Sequence, residues 1–148
     1  MKKLLLALTI LAAAPSALAD IWISPGFYSH HFDKSKNLND NNRGFGVETS
    51  INNTYSLTAG VFENSDSQTS HYIGAYVMPF QRGSFKAGAA VGAFEGYPLM
   101  REGGWFAAVV PTMAIEGRRL GLNVFVIPKI GDKVSSALSF QVKFNIAP

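Results

Sequence analysis

Residues 138–146, which read LSFQVKFNI, alternate without interruption between apolar and polar side chains. Because successive side chains of a β-strand point to opposite faces, this stretch is predicted to be a strand with one apolar and one polar side. The apolar side consists of Leu138, Phe140, Val142, Phe144 and Ile146, and the polar side of Ser139, Gln141, Lys143 and Asn145. The alternation alone is equally compatible with a strand against a protein core and with a strand against lipid.

The same pattern divides the chain after residue 19 into eight strand-length segments. They are predicted at residues 20–32, 44–51, 54–63, 71–80, 84–94, 104–115, 120–128 and 136–146. Long polar or glycine-rich connections alternate with tight turns such as Asn52-Asn53 and Gln81-Arg82-Gly83. This alternation between antiparallel strands is typical of outer-membrane barrels. The sequence therefore predicts an all-β fold, an eight-stranded antiparallel up-and-down transmembrane β-barrel.

Further strands show the same two faces. Outward positions are predicted to be Phe45, Val47, Thr49, Ile51, Tyr55, Leu57, Ala59, Val61, Phe85, Ala87, Ala89, Val91, Leu120, Leu122, Val124 and Val126. Their neighbours along the strands, such as Gly46, Glu48, Ser56 and Asn123, are small or polar. Small inward residues suit eight strands, because such a barrel has an interior only just wide enough for side chains.

The N-terminus predicts where the barrel resides. Residues 1–19 contain two lysines, an apolar run over residues 4–14 and the small-residue site Ala17-Leu18-Ala19, which together predict a secretory signal peptide. The barrel is then residues 20–148, and the predicted location is the outer membrane of a Gram-negative-type cell envelope. No later stretch approaches the roughly 18 consecutive apolar residues of a membrane helix, so strands are expected to cross the membrane.

Composition narrows the classes of partner. The formal net charge is only +3 and the basic residues are dispersed, which argues against a nucleic-acid partner. His30 and His31 are adjacent and point to opposite faces of a strand, so they do not predict a metal site. No cofactor is expected, and the predicted partners are membrane lipids, with the protein acting as a monomer.

Two features suggest a role beyond structure. The sixth segment is apolar on both faces, and Tyr76, Met78, Phe125 and Ile127 add apolar groups to the predicted interior, which could hold a hydrocarbon chain or simply pack. Pro25, Pro111 and Pro128 each lack the N–H that a neighbouring strand would accept. Pro111 and Pro128 could mark a weak seam between the sixth and seventh strands that admits a lipid tail, or they could flank bulges and strand ends.

Candidate chemistry gathers at the long loops. His30 and His31 end the first strand, and Asn64, Ser65, Asp66, Ser67 and His71 surround the second long connection. A histidine beside a hydroxyl can support acyl transfer by taking its proton. The alternative is that these are solvated surface groups.

Several segments resemble the outer-membrane lipid A palmitoyltransferases. Residues 23–34, ISPGFYSHHFDK, are similar to that family's first strand, where a proline precedes the active histidine. The segments Gly44-Phe45-Gly46-Val47, Phe62-Glu63-Asn64-Ser65 and Ile73-Gly74-Ala75-Tyr76 resemble the following strands. Val126-Ile127-Pro128 and the proline of the sixth strand look like the family's lateral gate.

The resemblance implies an enzyme that transfers an acyl chain from phospholipid to lipid A. It implies His31 as the proton-handling group, Ser65 as its hydroxyl partner, Asn64 as a polar orienting group, and Pro111 and Pro128 as substrate-binding gate residues. Proline spacing favours His30 and the Ser-x-His-Phe context favours His31, which is preferred. Asn64 stands where the family has aspartate, so Asp66 with Ser67 is an alternative.

Three other functions remain open. A small non-enzymatic barrel that stabilises the membrane or displays loops is the main alternative. A lipid A deacylase on a similar barrel and a soluble lipocalin-like binder rank lower.

Overall fold

The computed structural model describes residues 19–148, so the signal peptide predicted at residues 1–19 lies, except for Ala19, outside the described residues. The strands are β1 (Ile21–His31), β2 (Asn41–Ser50), β3 (Tyr55–Glu63), β4 (Thr69–Arg82), β5 (Phe85–Phe94), β6 (Phe106–Glu116), β7 (Leu120–Ile127) and β8 (Ala137–Asn145). Short 3₁₀ turns at Lys34–Lys36 and Arg101–Gly103 lie in the loops. Within residues 19–148, no helix has the length and apolar composition needed to cross a membrane.

The eight strands form one closed antiparallel barrel. Each strand pairs with its neighbours in the chain, and β1 pairs with β8 to close the sheet. The predicted all-β, eight-stranded up-and-down barrel is thereby confirmed. Connections 32–40, 64–68, 95–105 and 128–136 lie at one end, called here the long-loop end, and the three tighter connections lie at the other, the short-turn end.

The outer wall of the barrel is apolar. Phe45, Leu57, Ile73, Val109 and Leu120 are among the exposed large side chains, as the alternation predicts. On β5 to β8 the outward positions carry no ionisable side chain, whereas on β2 and β4 Arg43 and His71 lie outward in the part nearer the long loops. On β5 this apolar zone spans residues 85–93, which is about 30 Å along the strand and roughly 23 Å along the axis of a barrel whose strands tilt by about 40°.

The strand β1 changes its inward parity halfway along. Trp22 and Ser24 are buried at even positions, whereas Ser29 and His31 are buried at odd ones. The register of β1 shifts around Pro25 against both β2 and β8, and Gly26 has φ of +105°, which glycine adopts without steric cost. This bulge therefore turns His31 into the barrel and His30 outward.

The pairing of β6 with β7 is incomplete. It runs from Thr112↔Phe125 to Glu116↔Gly121, whereas β6 pairs with β5 along its whole length from Phe106 to Ile115. The half of β6 nearest the long loops therefore has a ladder partner on one side within the described strands. Pro111 is the last residue of that half and directly precedes the ladder pair Thr112↔Phe125, and Pro128 follows β7 three residues beyond Phe125.

The interior at the short-turn end is filled by an ion network. Lys143, which is 2% exposed, places its Nζ 2.7 Å from Glu48 Oε2 and 2.7 Å from Glu116 Oε1. Lys86 Nζ lies 2.6 Å from Glu116 Oε2, and the Lys143 ammonium lies 4.8 Å from the centre of the Trp22 ring. We call these four charged residues the ion plug; hydrogen bonds through Asn123 and Gln141 continue it toward the barrel centre.

Candidate functional site

The interior at the long-loop end contains a cavity of about 390 Å³. Its walls are mainly apolar and aromatic, and include Phe27, Phe62, Tyr72, Val110 and Phe125. The Phe27 ring contacts three of these aromatic rings, with centroid separations of 5.0 Å to Phe62, 5.6 Å to Phe125 and 5.8 Å to Tyr72. The volume falls within the ~300–1,000 Å³ of typical ligand sites.

His31 lies at the mouth of this cavity and contacts Ser65. The imidazole is almost fully buried, and its Nε2 lies 2.9 Å from Ser65 Oγ. The two residues come from the end of β1 and from the loop after β3, and both line the cavity. The pair His31 and Ser65, which the sequence analysis proposed, is thus brought within hydrogen-bonding distance.

Asp40 provides the second partner of His31. Its Oδ1 lies 2.5 Å from His31 Nδ1, and its Oδ2 lies 3.2 Å from Lys34 Nζ. The hydrogen bond with His31 is the main cause that lowers the pKa of the Asp40 carboxyl below its ordinary value, and Lys34 adds to it. An ionised carboxylate only accepts hydrogen bonds, so His31 donates from Nδ1, and its Nε2 is the acceptor for the Ser65 hydroxyl.

Backbone and amide contacts hold the two loops of the site together. The Asn39 N–H donates to the Ser65 carbonyl at 2.9 Å, and its side-chain amide donates to the Asn64 carbonyl. Asn42, at the start of β2, donates to the Glu63 carbonyl and accepts from Ser29 Oγ. These contacts fix the residue after Asn39, which is Asp40, beside the loop that carries Ser65.

The side chain of Asn64 organises its own loop. It is fully buried, its Oδ1 accepts from the backbone N–H groups of Asp66 and Gln68, and its Nδ2 donates to Ser70 Oγ and to the Gly96 carbonyl. All these contacts lie within or beside the loop, so Asn64 orients Ser65 through the backbone. The carboxylate that contacts His31 is supplied by Asp40.

Other candidates from the sequence lie elsewhere. His30 is exposed on the outer face next to Phe32, and His71 is exposed and pairs with Glu95. Asp66 lines the cavity mouth, and Ser67 is exposed with φ of +57°. The acidic partner that sequence reasoning sought at Asn64 or Asp66 is Asp40, which lies nine positions after His31 in the chain.

The cavity extends to the incomplete β6–β7 pairing. Ala107 and Val109 of β6 and Ile127 of β7 line it, as does Pro128. Pro111 faces outward at the base of the same gap. The two prolines therefore lie at one opening between strands, with Pro128 at the cavity wall.

Fold and site together define an antiparallel eight-stranded barrel with a Ser65–His31–Asp40 hydrogen-bonded chain at the mouth of an internal apolar cavity. A comparison of the chain with protein-family models and with curated proteins finds no match. Among residues 19–148, no group of three or more histidine and acidic side chains is placed to hold a metal ion.

Proposed function

We propose that this protein is an outer-membrane acyltransferase that moves an acyl chain from a phospholipid to lipid A. The observation that carries the proposal is the meeting of a serine–histidine–aspartate chain with an apolar cavity inside a barrel whose outer wall is also apolar. A soluble barrel would bury its large apolar side chains and expose its polar ones, and here the wall has the opposite distribution.

The apolar cavity supports a lipid substrate. Its aromatic and aliphatic walls would surround a hydrocarbon tail, and a tail held there leaves the ester group at the mouth beside His31 and Ser65. The ion plug closes the other end of the interior, so the tail would enter either from the long-loop end or sideways.

The gap between β6 and β7 supports sideways entry. Val110 of β6 and Ile127 of β7 both line the cavity, and they lie in the strand halves beyond the last ladder pair, Thr112↔Phe125. A tail that leaves surrounding lipid could pass this gap without breaking backbone hydrogen bonds. Pro111 and Pro128 keep the gap open because neither has an N–H to donate.

His31 is the proton-handling residue of the proposed reaction. Its Nε2 is positioned to take a proton from a hydroxyl, and Asp40 stabilises the imidazolium that results. Ser65 is the hydroxyl held on that nitrogen. A positioned general base contributes about 10²–10⁴-fold to rate.

The deciding experiment is expression of the chain in a Gram-negative-type host and mass spectrometry of its lipid A. We expect lipid A to gain one acyl mass, and His31→Ala to reduce that gain by roughly 10²–10⁴-fold. His30→Ala is the matched control, because His30 faces outward one position away. Correctly folded protein in the outer membrane that adds no acyl mass would disprove the proposal.

A further inference from the structure

Ser65 has the environment of a nucleophile. Its Oγ lies 2.9 Å from His31 Nε2, and the other ring nitrogen lies 2.5 Å from a carboxylate. A hydroxyl, a base and a group that orients the base, each within hydrogen-bonding reach of the next, activate serine on unrelated folds.

The only free basic atom of His31 is already in contact with Ser65. Nδ1 is protonated and engaged with Asp40, so a proton can be accepted at Nε2 alone. In a direct transfer, the acceptor alcohol would have to displace the Ser65 hydroxyl from Nε2. If Ser65 itself attacks, no displacement is needed for the first step.

Ser65 is also placed where an ester carbonyl would lie. It lines the mouth of the cavity, and the lining also includes Phe62, Asp66 and Tyr97. An acyl chain seated between Phe27, Phe125 and Val110 therefore brings its carboxyl end to the serine.

We propose that Ser65 is a covalent nucleophile that forms an acyl-serine intermediate, with His31 as its base and Asp40 as the residue that positions His31. The Ser65 hydroxyl gives its proton to His31 as its oxygen bonds to the ester carbonyl carbon. The tetrahedral intermediate then breaks the donor's carbon–oxygen bond, and His31 protonates the departing alcohol.

The second half of the reaction frees the serine. An acceptor hydroxyl gives its proton to His31 and bonds to the acyl carbon, the bond to Ser65 Oγ breaks, and the proton returns to Ser65. Water can take the place of the acceptor and release a fatty acid, so the site is also a lipid esterase. The lipid nature of the acyl group rests on the proposed function, whereas the nucleophilicity of Ser65 does not.

The test uses the full barrel refolded in detergent and a hexadecyl fluorophosphonate. Attack by Ser65 forms an oxygen–phosphorus bond and expels fluoride, while the hydroxyl proton passes to His31. We expect intact-mass and peptide mass spectrometry to find one adduct, on Ser65. Labelling should fall about 10²–10⁴-fold in His31→Ala, and Ser67→Ala should label like the wild type because Ser67 is exposed in the same loop and Ser65 is unchanged.

Asp40 is tested as a positioning residue. Asp40→Asn should slow labelling at least 10-fold without changing heat-modifiable migration of the barrel, and Asp40→Glu should restore part of the rate because it returns the carboxylate. Equal rates in Asp40→Asn and wild type would overturn the assignment of Asp40.

Two results would overturn the acyl-serine. One is a folded barrel that gains no adduct on Ser65, and the other is a Ser65→Ala variant that still adds an acyl chain to lipid A at the wild-type rate. A labelled Ser65 together with unchanged lipid A would support the nucleophile and disprove the proposed transfer, so the two failures are distinguishable.

Discussion

The two halves of the barrel interior differ in what fills them. At the short-turn end, Lys143 is held between two carboxylates at 2.7 Å each and is almost fully buried. At the long-loop end, aromatic rings surround a cavity of about 390 Å³. Both halves are made by the same eight strands, so the difference arises from the inward side chains together with the loop residues, such as Ser65 and Tyr97, that line the cavity.

Because of this difference, we expect the short-turn half to contribute mainly to stability and the long-loop half mainly to function. A buried ion network is costly to disturb, because removing one member leaves uncompensated charge. Filling part of an apolar cavity with a larger side chain changes the free energy of unfolding only a little, provided that the lining keeps its conformation. We therefore expect substitutions in the ion plug to act on stability and substitutions around the cavity to act on ligand access.

The largest effect is expected from Lys143→Met. The substitution leaves the buried Glu48 and the partly buried Glu116 without their shared cation, and we expect the free energy of unfolding to fall by about 3–5 kcal/mol. Urea unfolding in detergent, followed by Trp fluorescence, measures the change. Lys129→Met, at an exposed loop position, is the control and should stay within about 0.5 kcal/mol of the wild type. A loss below 1 kcal/mol for Lys143→Met would show that the ion plug does not hold this half together.

The next effect is expected from Asn64→Ala at the opposite end. It removes the partners of two backbone N–H groups, of the Ser70 hydroxyl and of the Gly96 carbonyl. We expect a loss of about 1–3 kcal/mol, which is the cost of leaving buried polar groups unsatisfied. Ser65 should also lose its position, so fluorophosphonate labelling should slow together with the fall in stability. A stable variant with unchanged labelling would contradict the role given to Asn64.

A smaller effect on stability, and a selective one on binding, is expected from Ala108→Phe. Its ring would occupy the cavity, so hexadecyl fluorophosphonate labelling should fall at least 10-fold while an ethyl analogue keeps its rate. The unfolding free energy should change by less than about 1.5 kcal/mol. Ala59→Phe, at an exposed position of β3 that does not line the cavity, is the matched control. Equal loss with both probes would indicate a damaged catalytic chain instead of a filled cavity.

The smallest effect is expected for the pH dependence of the contact between Asp40 and His31 at the long-loop end. The pKa of Asp40 in the folded chain lies below its ordinary value of 3.8, chiefly because His31 donates to it. The stabilisation that Asp40 gives the first loop is therefore fully present above pH 3.8 and is lost as the pH falls through the lowered pKa. An NMR titration of its carboxyl carbon should show a midpoint below 3.8, and a midpoint at or above that value would contradict the contact.

Much of the architecture was predictable because a strand repeats its contacts every second residue. The alternation in residues 138–146 places Gln141 and Lys143 inward, and the structure buries both. Predicted segments differ from the observed strands by at most three residues at either end, since polar loops and glycine mark their limits. The order of long and short connections also follows from the chain.

The catalytic chain was predictable only in part. His31 and Ser65 were identified as partners, but the choice between His30 and His31 depended on family likeness, because the bulge at Gly26 changes the parity of β1. Asp40 was missed. In the sequence, Asp40 is marked only as an acidic residue in a polar loop just before β2. Acidic residues are common in such loops, so this position indicates no particular partner.

The sequence by itself determined the class of fold, since period-two alternation specifies strands and the connections specify their order. Only the tertiary structure decided which polar groups meet. Barrel closure and the docking of two loops bring Ser65 and Asp40 to His31. In the chain, Ser65 lies 34 residues from His31 and Asp40 lies 9 residues from it. Such contacts depend on register, bulges and loop conformation, which no local pattern of apolar and polar residues encodes.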